Sequence, residues 1–292
     1  MSNKINIGII GFGFVGSSVA YGFSPQTGFD QAELRVYDKD PTKSTHTMEE
    51  VLDNSDFVFL SVPTPANRDG SIDLTILENV LKEINDHGTK DGCIILVRST
   101  IVPGTTRKFQ EKFSDITLVF NPEFLTERSA KFDFINQARF IIGGEPADTY
   151  KIAQLLKIRF GSSTPIIETN FETAEFIKYM NNCYFATKVS FMNEMKLVAD
   201  KSNVDWHVAV DGFVRDGRVG HSHLAVPGPD GRKGFGGSCF PKDIQAFIEY
   251  SKSLGLEASV LQGAWQTNLT VRPERDWENL VGRAISKGDQ NE

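Results

Sequence analysis

The 292-residue chain predicts an α/β protein, in which a doubly wound parallel sheet is followed by an all-helical domain built on one long helix. Three observations predict it. Short apolar runs alternate with helical patterns through the first half, as in a sheet wound on both faces. A glycine-rich turn joins the first of these runs to the first helix. From Phe171 onward, thirty-one residues pass without Gly or Pro, with apolar residues at helical spacing.

The strand-like runs are 5–10, 34–38, 57–62, 93–97, 117–121 and 139–144. The first runs into "GFGFVG", where Gly11, Gly13 and Gly16 have the G-x-G-x-x-G spacing around Phe14 and Val15. Between a strand and a helix, that turn lets backbone N–H groups approach a pyrophosphate at the helix N-terminus. Asp38 closes the second run, placed to accept the ribose hydroxyls of an adenosine and to repel a 2′-phosphate, so the cofactor expected is NAD. Lys39 beside it softens that preference. These residues alone suit a flavin or a nucleotide without redox chemistry as well. The segment 171–201 reads as one helix more than 40 Å long at about 1.5 Å per residue. A shorter helical stretch follows Val204, then a Gly- and Pro-rich loop over 226–238. Two more helical patterns follow, at 243–254 and 257–271, and a frayed tail, "SKGDQNE". The domains expected are 1–168, Rossmann-like and dinucleotide-binding, 169–272, helical, and a tail over 273–292.

Composition narrows the function. With 40% hydrophobic and 24% charged residues the chain has the makings of an ordinary core, and a formal net charge of −7 without a Lys/Arg block argues against nucleic acid as a partner. No run approaches the roughly 18 to 20 apolar residues of a membrane span, and the N-terminus lacks the basic start and cleavage site of a signal peptide. Three cysteines without metal-type pairing suit a reducing cytoplasm and predict no metal site.

Two further groups bear chemistry. Lys178 and Asn182 stand four apart in "EFIKYMNNCYF", on one helix face. A Lys there stabilises an oxygen that becomes anionic and an Asn adds a neutral donor; equally, the Lys reaches solvent along its stem and the Asn satisfies a helix neighbour. In "GFGGSCFPKD", Gly234, Gly236 and Gly237 give the backbone unusual freedom just before Cys239. Pro241 marks a helix start, where the field favours a thiolate, and Asp243 follows within the turn. An inert thiol and a nucleophile fit Cys239 equally, whereas Cys93, in a strand, and Cys183, on the long helix, read as buried and inert.

In order along the chain, "GFGFVG", "SVPTP", "VRSTIVPGT", "NPEFLTE", "AEFIKYMNNCYFATKVSFMNE" and "GFGGSCFPKD" resemble the motifs of the UDP-glucose/GDP-mannose dehydrogenase family. The resemblance implies an NAD-dependent, four-electron oxidation of a nucleotide sugar, UDP-glucose first among them, from the C6 alcohol to the carboxylate of polysaccharide precursors. It implies that Cys239 is the nucleophile, forming a thiohemiacetal and then a thioester. Lys178 and Asn182 would stabilise oxyanions, Glu127 would transfer protons, and Asp243 with Thr100 would place the water. Thr64 and Lys242 would lie near the cofactor. Glu123, Phe124, Leu125, Gly236 and Arg218 would contact the substrate. The helical domain would pair two copies into a homodimer.

Relatives in this family carry a further Rossmann-like domain, and this chain ends at Glu292, about where that domain begins. The resemblance therefore implies a short form with its chemistry retained and its hold on the nucleotide weakened. Two other readings use the same motifs: a single-step hydroxyacid dehydrogenase, which has no need of Cys239, and a redox-inactive nucleotide-sugar-binding relative.

Overall fold

The structure, a computed structural model, describes residues 4–290. The chain divides into two compact units, one formed by residues 1–64 and 74–178 and the other by 65–73 and 179–292.

The first unit is a seven-stranded sheet. Its strands are β1 (Ile5–Ile10), β2 (Ala32–Tyr37), β3 (Phe57–Leu60), β4 (Ile94–Val97), β5 (Thr117–Phe120), β6 (Phe140–Gly143) and β7 (Ile166–Thr169), in the order β2-β1-β3-β4-β5-β6-β7. The helices are α1 (Phe14–Gly22), α2 (Met48–Asn54), α3 (Thr75–His87), α4 (Thr105–Lys112), α5 (Ala130–Ile135) and α6 (Pro146–Phe160). Helix α7 (Phe171–Ala199) begins in this unit. Strands buried on both faces read as continuous apolar runs, and alternate side chains feed two core layers. Ile7, Ile9, Phe59, Leu96 and Val119 join Val19 of α1, Phe23 just after it, Phe134 of α5 and Leu156 of α6. Ile10, Val58, Leu60, Ile95 and Leu118 join Leu52 of α2, Leu81 of α3 and Phe109 of α4.

Two features depart from a wholly parallel sheet of six strands. β5 meets β6 antiparallel through a single pair, Phe120 with Gly143, and Asn121 Nδ2 donates to the carbonyl of Ile141 at 2.8 Å beside it. β6 and β7 are parallel to each other and extend the sheet with reversed polarity. β7 has no counterpart among the predicted runs: its Glu168 is exposed and Ile167 is 44% exposed, so this edge strand lacks the apolar signature of a central one.

In the second unit α7 continues from Tyr179, followed by α8 (Trp206–Val214), α9 (Phe240–Ser253) and α10 (Ser259–Val271). With 29 residues, α7 is about 43 Å long. Residues 65–73 close on the C-terminal segment: Ala66 bridges both Ile72 and Ile285, and the Ser286 hydroxyl donates to Asp73 Oδ2 at 2.8 Å. The end expected to fray from Ser286 is pinned at that residue; its last two residues, 291 and 292, lie outside those described.

Candidate functional site

In the first unit the turn after β1 fits a dinucleotide phosphate. Gly11 has φ +89°, and a Cβ there would stand 2.4 Å from the carbonyl oxygen of Ser61; a Cβ on Gly16 would stand 2.0 Å from that of Gly11. A Cβ on Gly13 would meet nothing within 4 Å, so that side of the turn is open, and α1 starts there with no side-chain cap. Its first N–H groups, from Phe14 and Val15, are those an anion takes up. Asp38 follows β2, its Oδ2 accepting from Phe12 N at 2.5 Å and its Oδ1 from Asp40 N at 2.8 Å. A cleft of about 420 Å³ opens beside it, lined by Tyr37, Asp38, Lys39, Pro41, Ser44, His46, Thr47, Met48 and Glu49. The size and polarity suit the adenosine half of NAD.

The loops after β3, β4 and β5 carry the next residues. The Thr64 hydroxyl donates to the carbonyl of Thr100 at 2.8 Å. Glu123 is buried, its Oε2 accepting from Leu125 N at 2.6 Å and its Oε1 from Lys178 Nζ at 2.9 Å. The Lys178 ammonium also lies 5.4 Å from the centre of the Phe124 ring. Glu123, Phe124, Leu125 and Lys178 are therefore one cluster. Glu127, on a 3₁₀ turn, is exposed and outside that buried pair.

Two buried charges in this unit were not singled out by the sequence. Glu175, one turn before Lys178 on α7, takes the backbone N–H and hydroxyl of Thr106 on Oε1 and the N–H of Gly104 on Oε2, capping α4 across about seventy residues of chain. Burial pushes its carboxyl up to about 7, against the pull of those hydrogen bonds. Arg98, after β4, is 2% exposed and its Nη1 donates to Asn121 Oδ1.

In the second unit Cys239 is half-buried at the N-cap of α9, and its carbonyl accepts from Asp243 N at 2.8 Å. The Asp243 side chain is 1% exposed, with Oδ2 accepting from Asn182 Nδ2 and Oδ1 from Lys242 Nζ, both at 2.6 Å. The Cys183 thiol lies 4.0 Å from the Asp243 carbonyl, and burial raises its pKa. Cys93, just ahead of β4, is likewise pushed up to about 12 by burial. The glycines before Cys239 pack as well as bend. A Cβ on Gly234 would lie 2.4 Å from Asn268 Oδ1, and one on Gly236 2.4 Å from Nη2 of the buried Arg272, itself held by Asp230 and Asp276. Arg218 stands apart, its side chain 90% exposed and paired with Asp216.

Among the described residues, no group of three or more His, Cys, Asp or Glu side chains is placed to hold a metal, and no helix is long and apolar enough to cross a membrane.

A wound sheet with an open glycine turn and an acidic residue after its second strand, in a chain that also carries a domain on one long helix, defines a dinucleotide-binding protein of two domains. Residues 34–158 match the NAD binding domain, and residues 172–270 the central domain, of the UDP-glucose/GDP-mannose dehydrogenase family, and the chain belongs to that family. UDP-glucose 6-dehydrogenase TuaD of Bacillus subtilis is 34% identical over 248 residues, 82% of this chain and 51% of TuaD. UDP-glucose 6-dehydrogenase AglM of Haloferax volcanii is 28% identical over 312 residues, 93% of this chain and 71% of AglM. The chain thus spans about half the length of the first of these. A UDP-glucose dehydrogenase structure from Pyrobaculum islandicum superposes with a TM-score of 0.78 at 27% identity, covering 92% of this chain and 69% of that one. The cofactor is NAD.

Proposed function

We propose that the protein oxidises a nucleotide sugar, UDP-glucose first among candidates, at C6 to the uronic acid, using Cys239 as the nucleophile. The observation that carries this reading is Cys239 at the start of α9, with the buried Asn182–Asp243–Lys242 cluster one turn behind it. NAD, when bound, accepts the hydride in each of two oxidations. The Cys239 thiolate adds to the C6 aldehyde and gives a thiohemiacetal; its oxidation leaves a thioester, which one water hydrolyses to the acid and the free thiol. The Lys178 ammonium stabilises the alkoxide and the oxyanions, with Asn182 a second donor. Asp243 and Thr100 are proposed to orient the water, Glu127 to move protons, and Glu123, Phe124, Leu125, Gly236 and Arg218 to contact the substrate. Lys242 and Thr64 are assigned to the cofactor side.

The 169–272 domain is proposed to pair with a second copy. Supporting this, α7 exposes Met180, Tyr184, Phe191, Met195 and Val198, three, four or seven residues apart, an apolar stripe of the kind that seeks a partner helix. Sedimentation equilibrium tests the pairing, with a monomer expected for Tyr184→Lys combined with Phe191→Lys. Cys93, Cys183 and Cys239 form no disulfide with one another, which supports a cytoplasmic location.

Counting NADH formed per molecule of substrate, with UDP-glucose and a small hydroxyacid offered in turn, tests the chemistry. Two supports this reading. One supports the single-step hydroxyacid dehydrogenase, and none the redox-inactive relative.

A further inference from the structure

Arg98 is an expensive residue where it stands. Its guanidinium lies in the apolar layer with the rings of Phe59 and Phe134 5.9 and 5.7 Å from Cζ, and its Nε and Nη2 have no hydrogen-bond partner. Burial draws its pKa down to about 10, opposed only by the charge of Glu123. A cation placed there without a hydrogen-bonded carboxylate costs stability, and an unbranched apolar chain such as Met fits between two rings without that cost. Stability does not account for an arginine here.

Its neighbours do. Nη1 holds Asn121, whose Nδ2 is tied to the carbonyl of Ile141. Asn121 opens the segment that carries Glu123, and Glu123 holds the Lys178 ammonium. When that ammonium turns to a substrate oxyanion, Glu123 keeps only the N–H of Leu125 and becomes a buried carboxylate short of a counter-charge. Lys178 from α7 pairs with Glu123, and the charge of Arg98, at the end of β4, acts on Glu123 through space; Arg139 lies over the adjoining Phe124 ring, 4.4 Å from its centre. We infer that Arg98 is a positioning residue, which fixes the Glu123 segment through Asn121 and supplies the second positive charge that frees Lys178 for the substrate oxygen. The consequence for turnover rests on the dehydrogenase chemistry proposed above; the charge coupling does not.

The test sets two rankings against each other. Arg98→Met keeps the length and removes the charge, and Arg98→Lys keeps the charge and loses the planar fork. In urea unfolding, the Met variant is expected to be at least as stable as the Lys variant. In kcat the order reverses, with Lys within about tenfold of the parent, Met down about a hundredfold or more, and KM for NAD within about threefold in both. Equal kcat in the two variants, a higher kcat for Met, or a stability order that follows the kcat order overturns the proposal. Failure of Met alone, or of both variants, to fold also overturns it. A second arm needs no turnover: Glu123→Gln in the parent and in Arg98→Met should show a coupling of about tenfold in the unfolding equilibrium constant, and additivity overturns the proposal. If the parent makes no NADH from any sugar nucleotide, the dehydrogenase reading falls, while this unfolding cycle still decides whether Arg98 acts on Glu123.

Discussion

Glu123 and Lys178 form an ion pair at 2.9 Å whose side chains are 6% and 3% exposed. In such a site each charge depends on the other, and removing one partner leaves the second buried without its hydrogen-bonded counter-charge, at a cost of about 3 to 5 kcal/mol. Lys178→Met should therefore destabilise the protein by roughly that amount in urea unfolding, and adding Glu123→Gln should recover most of the loss. Turnover should stay absent in both variants, because the ammonium proposed to stabilise the oxyanion is gone. Recovery of NADH production in the double variant would contradict the role given to Lys178.

Cys239 is half-buried while Cys93 and Cys183 are buried. Native protein should therefore take up one equivalent of iodoacetamide per chain, at Cys239, and three in urea, read by mass spectrometry. Alkylated protein, Cys239→Ser and Cys239→Ala should all fail to release acid from UDP-glucose; for Ser the reason is a poorer nucleophile and a slowly hydrolysed ester. A normal acid yield from either variant would remove the covalent mechanism.

Much of this site was legible in the sequence because its signals are local. The run into "GFGFVG", the acidic residue after the next strand and the unbroken helical pattern from Phe171 each need only neighbouring residues. What stayed hidden depends on distant partners. Arg98 reads the same whether its guanidinium meets water or Phe59 and Phe134. Glu175 falls within a helical pattern, and only the approach of Gly104 and Thr106 makes it a cap. Gly236 reads as backbone freedom ahead of Cys239, yet the space beside it is filled by Arg272. The reversed polarity at β6 rests on one residue pair, Phe120 with Gly143, which no periodicity records.

Asp38 is the residue proposed to set the choice of cofactor. Its carboxylate faces the cleft after β2 and is held by the N–H groups of Phe12 and Asp40, so it is fixed where a 2′-phosphate would have to fit. Asp38→Ala should narrow the ratio of kcat/KM for NAD over NADP by about tenfold or more, equivalent to about 1.4 kcal/mol. Lys39, exposed beside it, then becomes the nearest cation for the phosphate. A parent enzyme that uses NADP at least as well as NAD would remove this role from Asp38.

Glu175 makes stability depend on pH in a direction opposite to that of most carboxylates. Burial raises its folded value to about 7, from an ordinary 4.5 in the unfolded chain. Between those values the folded state holds the proton more tightly than the unfolded state does, so stability from this group is greatest below pH 4.5 and is lost as pH rises to 7. The full loss is roughly 3 kcal/mol. Glu175→Gln is neutral at every pH and removes this slope. It also replaces one acceptor oxygen with an NH₂ group facing donors of the α4 cap, a cost of about 1 to 2 kcal/mol that does not vary with pH. The other carboxyls titrate alike in both proteins, so the difference in unfolding free energy between parent and variant isolates Glu175. Measured by urea unfolding, the parent should be the more stable at pH 5, and its advantage should shrink or reverse by pH 8. A difference that stays flat from pH 5 to 8 would mean that Glu175 is ionised throughout and that the amide groups of Gly104 and Thr106 outweigh its burial.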